Sequence, residues 1–186
     1  MNKVLITGAN SGLGKHLVSK FEKEGYEVFK HNGSNHYDLR VPYEVKKLAD
    51  DAIQFGVNIL INNAAIVCPS KSFSLYSSEE IYKMIDVNLT APILLTYHLQ
   101  NYLTDIININ SMVGLEIKSP RTLYSATKWG LRGFSQSLKQ ENKNINILDV
   151  YPTNIKTSPD KENAMDVEFV VNSIYNSFNQ KQQELI

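Results

Sequence analysis

A tyrosine and a lysine stand four positions apart in the second half of the chain, at Tyr124 and Lys128. In a helix this spacing places both side chains on one face. A phenol has an ordinary pKa of about 10 and is a poor base at neutral pH. An adjacent ammonium group favours the phenolate and lowers the pKa of the phenol. We therefore expect this pair to exchange a proton with a carbonyl or alcohol oxygen.

Two further polar residues precede the pair, Ser111 and Asn88. Ser111 follows a predicted strand, and its hydroxyl can hydrogen-bond the same substrate oxygen. Asn88 carries no titratable group. A helical Tyr–Lys pair alone is usually a solvated surface pair, and a serine at a strand end is usually a turn residue. Because all four residues fall at one predicted edge of a sheet, we favour the catalytic interpretation.

A glycine-rich segment near the N-terminus, residues 7–14, contains Gly8, Gly12 and Gly14. It follows a buried apolar run and precedes an amphipathic helix. Glycines let the chain turn sharply and let a diphosphate approach the backbone, and the N–H groups at a helix N-terminus favour an anion. The alternative is a purely structural turn between strand and helix. The flanking elements favour nucleotide binding.

The elements that must position these residues alternate between strand and helix. A continuous apolar run predicts a strand at 4–6 that is buried on both faces, and 57–61 is predicted as the next buried strand. Further strands are predicted at 26–30, 106–109 and 145–150, with an edge strand at 184–186. Helical periodicity or capping signals predict helices over 13–24, 42–53, 77–88, 91–102, 121–141 and 167–178. This alternation predicts an α/β fold, a doubly wound parallel sheet in three layers. Such sheets bind ligands at the carboxyl ends of their strands.

The spacing T-G-x-x-x-G-x-G in the glycine-rich segment resembles the short-chain dehydrogenase/reductase family, whose members bind NAD(H) or NADP(H) on a Rossmann fold. The other motifs of that family follow in the same order, and the resemblance covers nearly the whole chain. They are Asp38-Leu39, Asn62-Asn63-Ala64-Ala65, Asn88, Ser111, the pair Tyr124 and Lys128, Tyr151-Pro152, and Thr157.

The resemblance implies a role for each matched residue. Tyr124 is the acid/base, Lys128 lowers its pKa and holds the nicotinamide ribose, and Ser111 holds the substrate oxygen. Asn88 anchors a water molecule that links Lys128 to solvent. The implied cofactor contacts are Gly8, Asn10, Ser11, Gly12, Leu13, Gly14, Asn32, Asp38, Leu39, Asn63, Ala64, Ala65, Tyr124, Lys128, Pro152, Thr153, Ile155 and Thr157.

The chain departs from the family pattern at Ala65 and Thr153, where the family has glycine. The methyl group of Ala65 is expected to narrow the space beside the cofactor. Thr153 is expected to change the shape of the loop next to the nicotinamide. The stretch between Thr157 and the last predicted helix is also short. Because substrate specificity in the family lies in that region, the sequence does not identify the substrate.

Length and composition limit the classes of protein to which this chain can belong. The chain has 186 residues, which predicts one Rossmann-type domain over 1–186. Lysine plus arginine and aspartate plus glutamate each number 19, so the net charge is zero. A protein that binds DNA or RNA mainly through phosphates is normally basic, so no nucleic-acid partner is expected. The single cysteine, Cys68, is interpreted as a packing residue, and the four histidines show no ligand spacing, so no metal is expected.

No apolar run approaches the about 20 residues needed to span a bilayer, and we expect a cytoplasmic protein without a membrane partner.

We therefore expect an NAD(P)-dependent oxidoreductase that interconverts a carbonyl and a secondary alcohol on a small organic substrate. The main alternative is a non-catalytic NAD(P)-binding sensor or regulator of the same fold, which would be free to lose Tyr124 or Lys128. A sugar-nucleotide epimerase or dehydratase is less favoured, since it needs a sizeable C-terminal substrate domain.

NADP(H) is expected to be favoured over NAD(H), because the chain has no acidic residue around Asn32 to bind the ribose hydroxyls. Lys30 and His31 can supply positive charge there, although the alternation of side chains along a strand leaves open which way Lys30 points. Surplus apolar residues on two helices match a four-helix contact of the family and predict a homodimer or homotetramer. They are Leu94, Leu95, Tyr97, Leu99, Leu131, Phe134 and Leu138.

Overall fold

A computed structural model of the chain describes residues 2–34, 36–67, 70–156 and 164–186. The elements in chain order are β1 (Lys3–Ile6), α1 (Gly12–Lys23), β2 (Glu27–Lys30), α2 (Pro42–Phe55), β3 (Ile59–Asn62), α3 (Ser78–Ile85), α4 (Ala91–Leu99), β4 (Asp105–Ile109), α5 (Thr122–Glu141), β5 (Asn146–Val150), β6 (Ile155–Lys156), β7 (Met165–Asp166), α6 (Val167–Asn179) and β8 (Glu184–Leu185). Six strands form a parallel sheet in the order β2-β1-β3-β4-β5-β8. The predicted doubly wound α/β fold is confirmed.

The central strands are buried on both faces, as the apolar run of β1 predicts. Val4 and Ile6 of β1 pack into a core with α1 and α6, whereas Leu5 between them packs into a second core with α2 and α4. Successive side chains of a strand point to opposite faces, so one short run contributes to both layers of helices. All residues of β3 and β4 are buried. The sheet therefore forms the middle layer of three.

Local signals set most helix ends where the sequence predicts them. The predicted capping box is present, because Ser77 accepts from the Glu80 N–H at 3.2 Å and the Ser77 N–H donates to the Glu80 carboxylate at 2.8 Å. Asp166 caps α6 by accepting from the Phe169 N–H at 2.9 Å. The chain leaves α2 at Gly56, which has a left-handed φ of 86°. These short-range bonds explain why the helix boundaries could be predicted.

The region around residues 86–102 differs from the prediction. A π-helical turn, Asp86–Thr90, joins α3 directly to α4, and α4 ends at Leu99 instead of Tyr102. A π turn inserts one extra residue into a helix, so the apolar periodicity does not mark it. The two-residue strands β6 and β7 pair with each other and were not predicted. Across the described ranges, no helix combines the length and the apolar character that crossing a bilayer requires.

Polar side chains form a row across the three strands next to α5. Asn62 of β3 donates to Asn108 of β4 at 2.9 Å, and Asn108 donates to Asp149 of β5 at 3.2 Å. From α5, Ser135 donates to Asp149 at 2.6 Å and the Lys139 ammonium lies 2.7 Å from its carboxylate. Asp149 is fully buried, so its charge is stabilised by these partners. The row fixes α5 in register against the sheet.

The connection from β1 to α1 requires a close approach of the backbone. Gly8 and Gly12 have left-handed φ angles of 64° and 50°. Gly14, in the first turn of α1, lies so close to the Gly8 carbonyl that a Cβ at position 14 would stand 2.1 Å from its oxygen. The same Cβ would stand 2.6 Å from the side-chain nitrogen of Asn63. Position 14 therefore has no room for a side chain.

We expect Gly14→Ala to lower the free energy of unfolding by about 2 kcal/mol, because an added methyl group must displace backbone. Gly133→Ala in α5 is the matched control, since nothing lies within 4 Å of a Cβ built there. That change is expected to be neutral or to stabilise the protein by up to about 1 kcal/mol, because alanine is the better helix former. Urea unfolding of both variants measures the difference. Equal stabilities would show that the close approach at Gly14 is absent.

Candidate active site

The carboxyl ends of the strands open into one cleft of about 830 Å³. Its wall contains the glycine-rich loop and the loops or helix starts that follow β2, β3, β4 and β5. Most predicted site residues line it, which places them within one cavity although they lie far apart in sequence. They are Gly8, Ser11, Gly12, Leu13, Gly14, Asp38, Leu39, Asn63, Ala64, Ala65, Ser111, Tyr124, Lys128, Pro152, Thr153 and Ile155.

Three predicted residues do not form part of this wall. Asn10 and Asn32 are exposed, and the Asn10 side chain donates to the Asn32 carbonyl at 3.3 Å. Asn88 is buried behind the wall. Thr157 and Cys68, on which the sequence also gave expectations, lie outside the described residues.

Thr7 and Asn63 join the glycine-rich loop to the loop after β3. The Asn63 side chain donates to the carbonyls of Thr7 at 2.8 Å and Gly8 at 3.2 Å. The Thr7 hydroxyl accepts from the N–H groups of Asn63 and Ala64, both at 3.0 Å, and donates to the Ile61 carbonyl at 3.3 Å. Thr7 was not predicted as a site residue, although it opens the glycine motif. It fixes the shape of the cleft floor.

The side chains at the end of β2 do not carry the predicted positive charge into the cleft. The Lys30 ammonium pairs with Glu22 of α1 at 2.7 Å. His31 does line the cleft, but it is buried, and burial lowers the pKa of its ring below the ordinary value. The expectation that Lys30 and His31 supply positive charge is therefore wrong. Arg40 does line the cleft near the loop after β2 and carries a positive charge. Its guanidinium is hydrogen-bonded to Asp38.

Tyr124 and Lys128 lie on one face of α5, as their spacing predicts. The Lys128 ammonium is 5.7 Å from the centre of the Tyr124 ring and donates to the Ile109 carbonyl at 2.8 Å. It is only 2% exposed, and this burial lowers its pKa to about 8. The Ser111 side chain, at the end of β4, lies beside the Tyr124 hydroxyl and acts to lower the pKa of that phenol. The phenol, the serine hydroxyl and the ammonium therefore lie close together.

The phenol itself departs from the electrostatic prediction. Burial raises the pKa of Tyr124 above its ordinary value, and the hydrogen bond from Ser111 and the positive charge of Arg121 lower it only in part. The expectation of a net lowering by Lys128 is wrong for the protein chain, because desolvation of the phenolate outweighs the nearby charges. Lys128 directs its ammonium to the Ile109 carbonyl. A phenol in this environment stays protonated at neutral pH.

Asn88 uses its side chain to hold the wall of the cleft. Its amide oxygen accepts from the Ile66 N–H at 2.7 Å, and its amide nitrogen donates to the Ile66 carbonyl at 2.9 Å. The same nitrogen lies 3.4 Å from the Thr127 hydroxyl of α5. Asn88 thus ties the loop after β3 to the helix that carries Tyr124. Asn88 lies within the π turn, which packs against α5.

The wall beside Tyr124 carries basic side chains that sequence reasoning missed. Lys118 and Arg121 line the cleft together with Lys128. Among the described residues of the lining, Asp38 at the other end of the cleft is the only carboxylate. Nothing in the sequence distinguishes these cations from surface residues. Over the described part of the chain, no cluster of three or more His, Cys, Asp or Glu is arranged to hold a metal ion.

Known proteins share sequence similarity with most of this chain. The family model described as short chain dehydrogenase matches residues 34–168. The chain is 33% identical to nodulation protein G of Rhizobium sp. strain N33, over 92% of this chain and 81% of that protein. It is 31% identical to a 3-oxoacyl-acyl-carrier-protein reductase of Rickettsia conorii, over 91% of this chain and 80% of that protein.

Solved structures show the same fold. An alcohol dehydrogenase from Thermococcus sibiricus, complexed with 5-hydroxy-NADP, superposes with a TM-score of 0.89 at 19% identity, over 100% of this chain and 95% of that one. A 4-hydroxyisoleucine dehydrogenase complexed with NADH gives a TM-score of 0.87 at 21% identity, over 100% and 96%. These similarities concern the fold. The family-model match and the 33% identical relative show that this chain belongs to the short-chain dehydrogenase family.

Proposed function

We propose that this protein is an NAD(P)-dependent oxidoreductase that interconverts a carbonyl and a secondary alcohol on a small organic substrate. The observation that carries the proposal is the placement of Ser111, Tyr124 and Lys128 next to one another in the cleft that also contains the glycine-rich loop. We further propose that residues 1–186 act as one domain. β8, near the C-terminus, pairs with β5 and completes the sheet that carries the site.

The residues of the cleft fit a nicotinamide dinucleotide. The start of α1 has no acidic residue in its first turn, and its N–H groups follow glycines with left-handed φ angles. Gly8, Ser11, Gly12 and Leu13 would hold the diphosphate. Asp38 and Leu39 would contact the adenosine end, and Asn63 to Ala65 the middle of the cofactor. Tyr124, Lys128, Pro152, Thr153 and Ile155 would hold the nicotinamide end. When bound, the nicotinamide supplies or accepts a hydride.

The chain's own residues move and hold the proton. Because its raised pKa keeps Tyr124 protonated at neutral pH, the phenol can donate its proton to a substrate oxygen during carbonyl reduction. Ser111 donates a hydrogen bond to the same oxygen and fixes its position. Lys128 stabilises the phenolate that remains, since its ammonium lies beside the ring. The role of Asn88 in proton relay stays a prediction, and its contacts support a role in positioning the wall.

The alternative of a non-catalytic sensor uses only part of this site. A sensor needs the glycine-rich loop to bind the dinucleotide but has no use for a proton donor. A phenol buried at the cleft wall loses hydration, as does an ammonium group behind it, and both losses cost free energy. Because the chain retains this costly arrangement, we favour the enzyme over the sensor.

Replacing Tyr124 with Phe is expected to lower carbonyl-reductase turnover by about 100-fold or more, because the proton donor is lost. Cofactor affinity is expected to change by no more than about five-fold, since a single hydroxyl is removed. Tyr43→Phe, at a side chain that is 74% exposed on α2, is the matched control. Turnover on a panel of carbonyl compounds and the dissociation constant of the cofactor are measured for each protein. Wild-type turnover in Tyr124→Phe would contradict the assignment.

NADP(H) is proposed as the favoured cofactor over NAD(H). Asn32, Gly33 and Ser34 provide no carboxylate that would repel a 2′-phosphate, and Arg40 lines the same end of the cleft. The expected preference is modest, because Arg40 is already hydrogen-bonded to Asp38. Titration of the protein with NADPH and NADH at one ionic strength measures it. Tighter binding of NADH would contradict this proposal and leave the proposed reaction intact.

A homodimer or homotetramer that uses α4 and α5 is also proposed. Three of the residues predicted for the contact, Leu95, Leu99 and Leu131, are buried in the chain's own core, so that part of the prediction is wrong. Leu94, Phe134 and Leu138 remain partly exposed, and Tyr97 is 65% exposed. Trp129 of α5 adds a second exposed ring at 43%. These side chains offer an apolar surface suited to a second copy.

In light scattering we expect at least twice the 21.1 kDa mass of one chain. Tyr97→Glu is expected to shift the protein toward the monomer, because it places a charge in the proposed contact. Tyr43→Glu on α2 is the control with the same substitution outside that surface. A wild-type protein that is monomeric at working concentration would contradict the proposed assembly.

A further inference from the structure

His31 joins the two loops that form the adenosine end of the cleft. Its Nδ1 accepts a hydrogen bond from the Gly8 N–H at 3.2 Å, and its Nε2 lies 2.9 Å from the Tyr37 carbonyl oxygen. The backbone adds to this link, since the Ala9 N–H donates to the His31 carbonyl at 2.9 Å. His31 is 2% exposed. The ring therefore lies directly beneath the first glycine of the loop.

The two partners of His31 determine its protonation state. A backbone N–H only donates and a backbone carbonyl only accepts, so Nδ1 must be unprotonated and Nε2 must carry the hydrogen. A ring that satisfies both partners carries one hydrogen and is neutral. A second proton, on Nδ1, would place the Nδ1–H donor against the Gly8 N–H donor. Protonation would therefore push Gly8 and the ring apart.

We propose that His31 is a positioning residue for the cofactor, and that dinucleotide binding requires its neutral ring because only that form holds Gly8 in place. Gly8 is the residue that leaves β1 with a left-handed φ of 64° and supports Gly14 at the start of α1. A displacement of Gly8 would move the N–H groups that face the diphosphate. The inference rests on the proposed binding of a nicotinamide dinucleotide.

The charged and titratable groups around the ring favour the neutral form. Burial lowers the pKa of His31, and the hydrogen bond to Tyr37 and the charge of Asp38 oppose it without cancelling it. From the same loop, the Tyr37 ring lies 6.5 Å away, and its hydroxyl donates to Asp51 of α2 at 2.5 Å. β1 and its loop contribute only uncharged groups, through Ile6, Gly8 and Ala9. The net direction is toward deprotonation at neutral pH.

The sign of the pH dependence follows from this direction. The cofactor selects the neutral ring, so its affinity is full at neutral pH and falls as the pH drops through the pKa of His31, which lies below 6.5. Below that pKa the dissociation constant is expected to rise by about ten-fold for each pH unit, the slope of a single proton. Folding stability falls at higher pH than this, as the pH drops from the ordinary histidine pKa to the lowered pKa of the folded ring, because the unfolded chain binds that proton more readily there.

The test measures NAD⁺ binding by calorimetry from about pH 8 to about pH 5, the range in which histidine titrates. NAD⁺ is the probe because the 2′-phosphate of NADP⁺ would itself titrate near pH 6. His31→Asn retains an acceptor at the δ position and cannot titrate. We expect it to bind within about three-fold of the wild type at pH 8 and to lose the acidic weakening. His31→Ala loses the acceptor, and its affinity is expected to be about five-fold weaker throughout.

His98→Asn, on α4 and outside the described cleft wall, is the matched control and is expected to keep the wild-type pH profile. NMR titration of the ring nitrogens provides a readout that needs no variant. We expect the Nε2–H tautomer, and a pKa that falls further when NAD⁺ is added. A protonated Nδ1 at neutral pH, or a pKa that NAD⁺ leaves unchanged, would overturn the inference.

The two proposals fail in distinguishable ways. A wild-type protein that does not bind NAD⁺ or NADP⁺ at any pH contradicts the proposed function. A protein that binds NAD⁺ with an affinity independent of pH, or whose acidic weakening persists in His31→Asn, retains the proposed function and loses the role of His31.

Discussion

The absence of a side chain at Gly14 determines the geometry on which the rest of the cleft depends. Only a hydrogen atom at that position lets the first turn of α1 lie against the Gly8 carbonyl, and the Asn63 side chain fills the remaining space. Thr7 and Asn63 then bind the glycine-rich loop to the end of β3, while His31 binds it to the loop after β2. Three loops from separate parts of the chain are held in one arrangement by a contact that no larger residue permits.

The opposite wall is positioned by polar contacts inside the molecule. The row of Asn62, Asn108 and Asp149 across the sheet is closed from α5 by Ser135 and Lys139. Each member of such a network has few alternative partners, because an unpaired polar group in the interior costs free energy. The row therefore selects one rotation and one register of α5. That register brings Tyr124 to the end of β4, where Ser111 meets it.

Burial, more than charge, sets the direction of the pKa shifts of three side chains in this cleft. It lowers the pKa of Lys128 to about 8, raises that of Tyr124 and lowers that of His31. Each shift favours the uncharged form, as expected for groups removed from water. The site thus holds a neutral phenol and a neutral imidazole at physiological pH, and its lysine is more easily deprotonated than one on the surface.

The sequence alone determined most of the succession of strands and helices, the parallel sheet, and most of the residues that line the cleft at its carboxyl edge. These features follow from apolar runs, the capping box at Ser77 and the four-residue spacing of Tyr124 and Lys128, all of which act over a few neighbouring residues. Only the tertiary structure decided that Lys30 turns to Glu22, that Asn88 holds Ile66, and that desolvation outweighs the charge beside Tyr124. These outcomes depend on which distant segments come into contact and how much water they exclude, and neither quantity is encoded in local spacing.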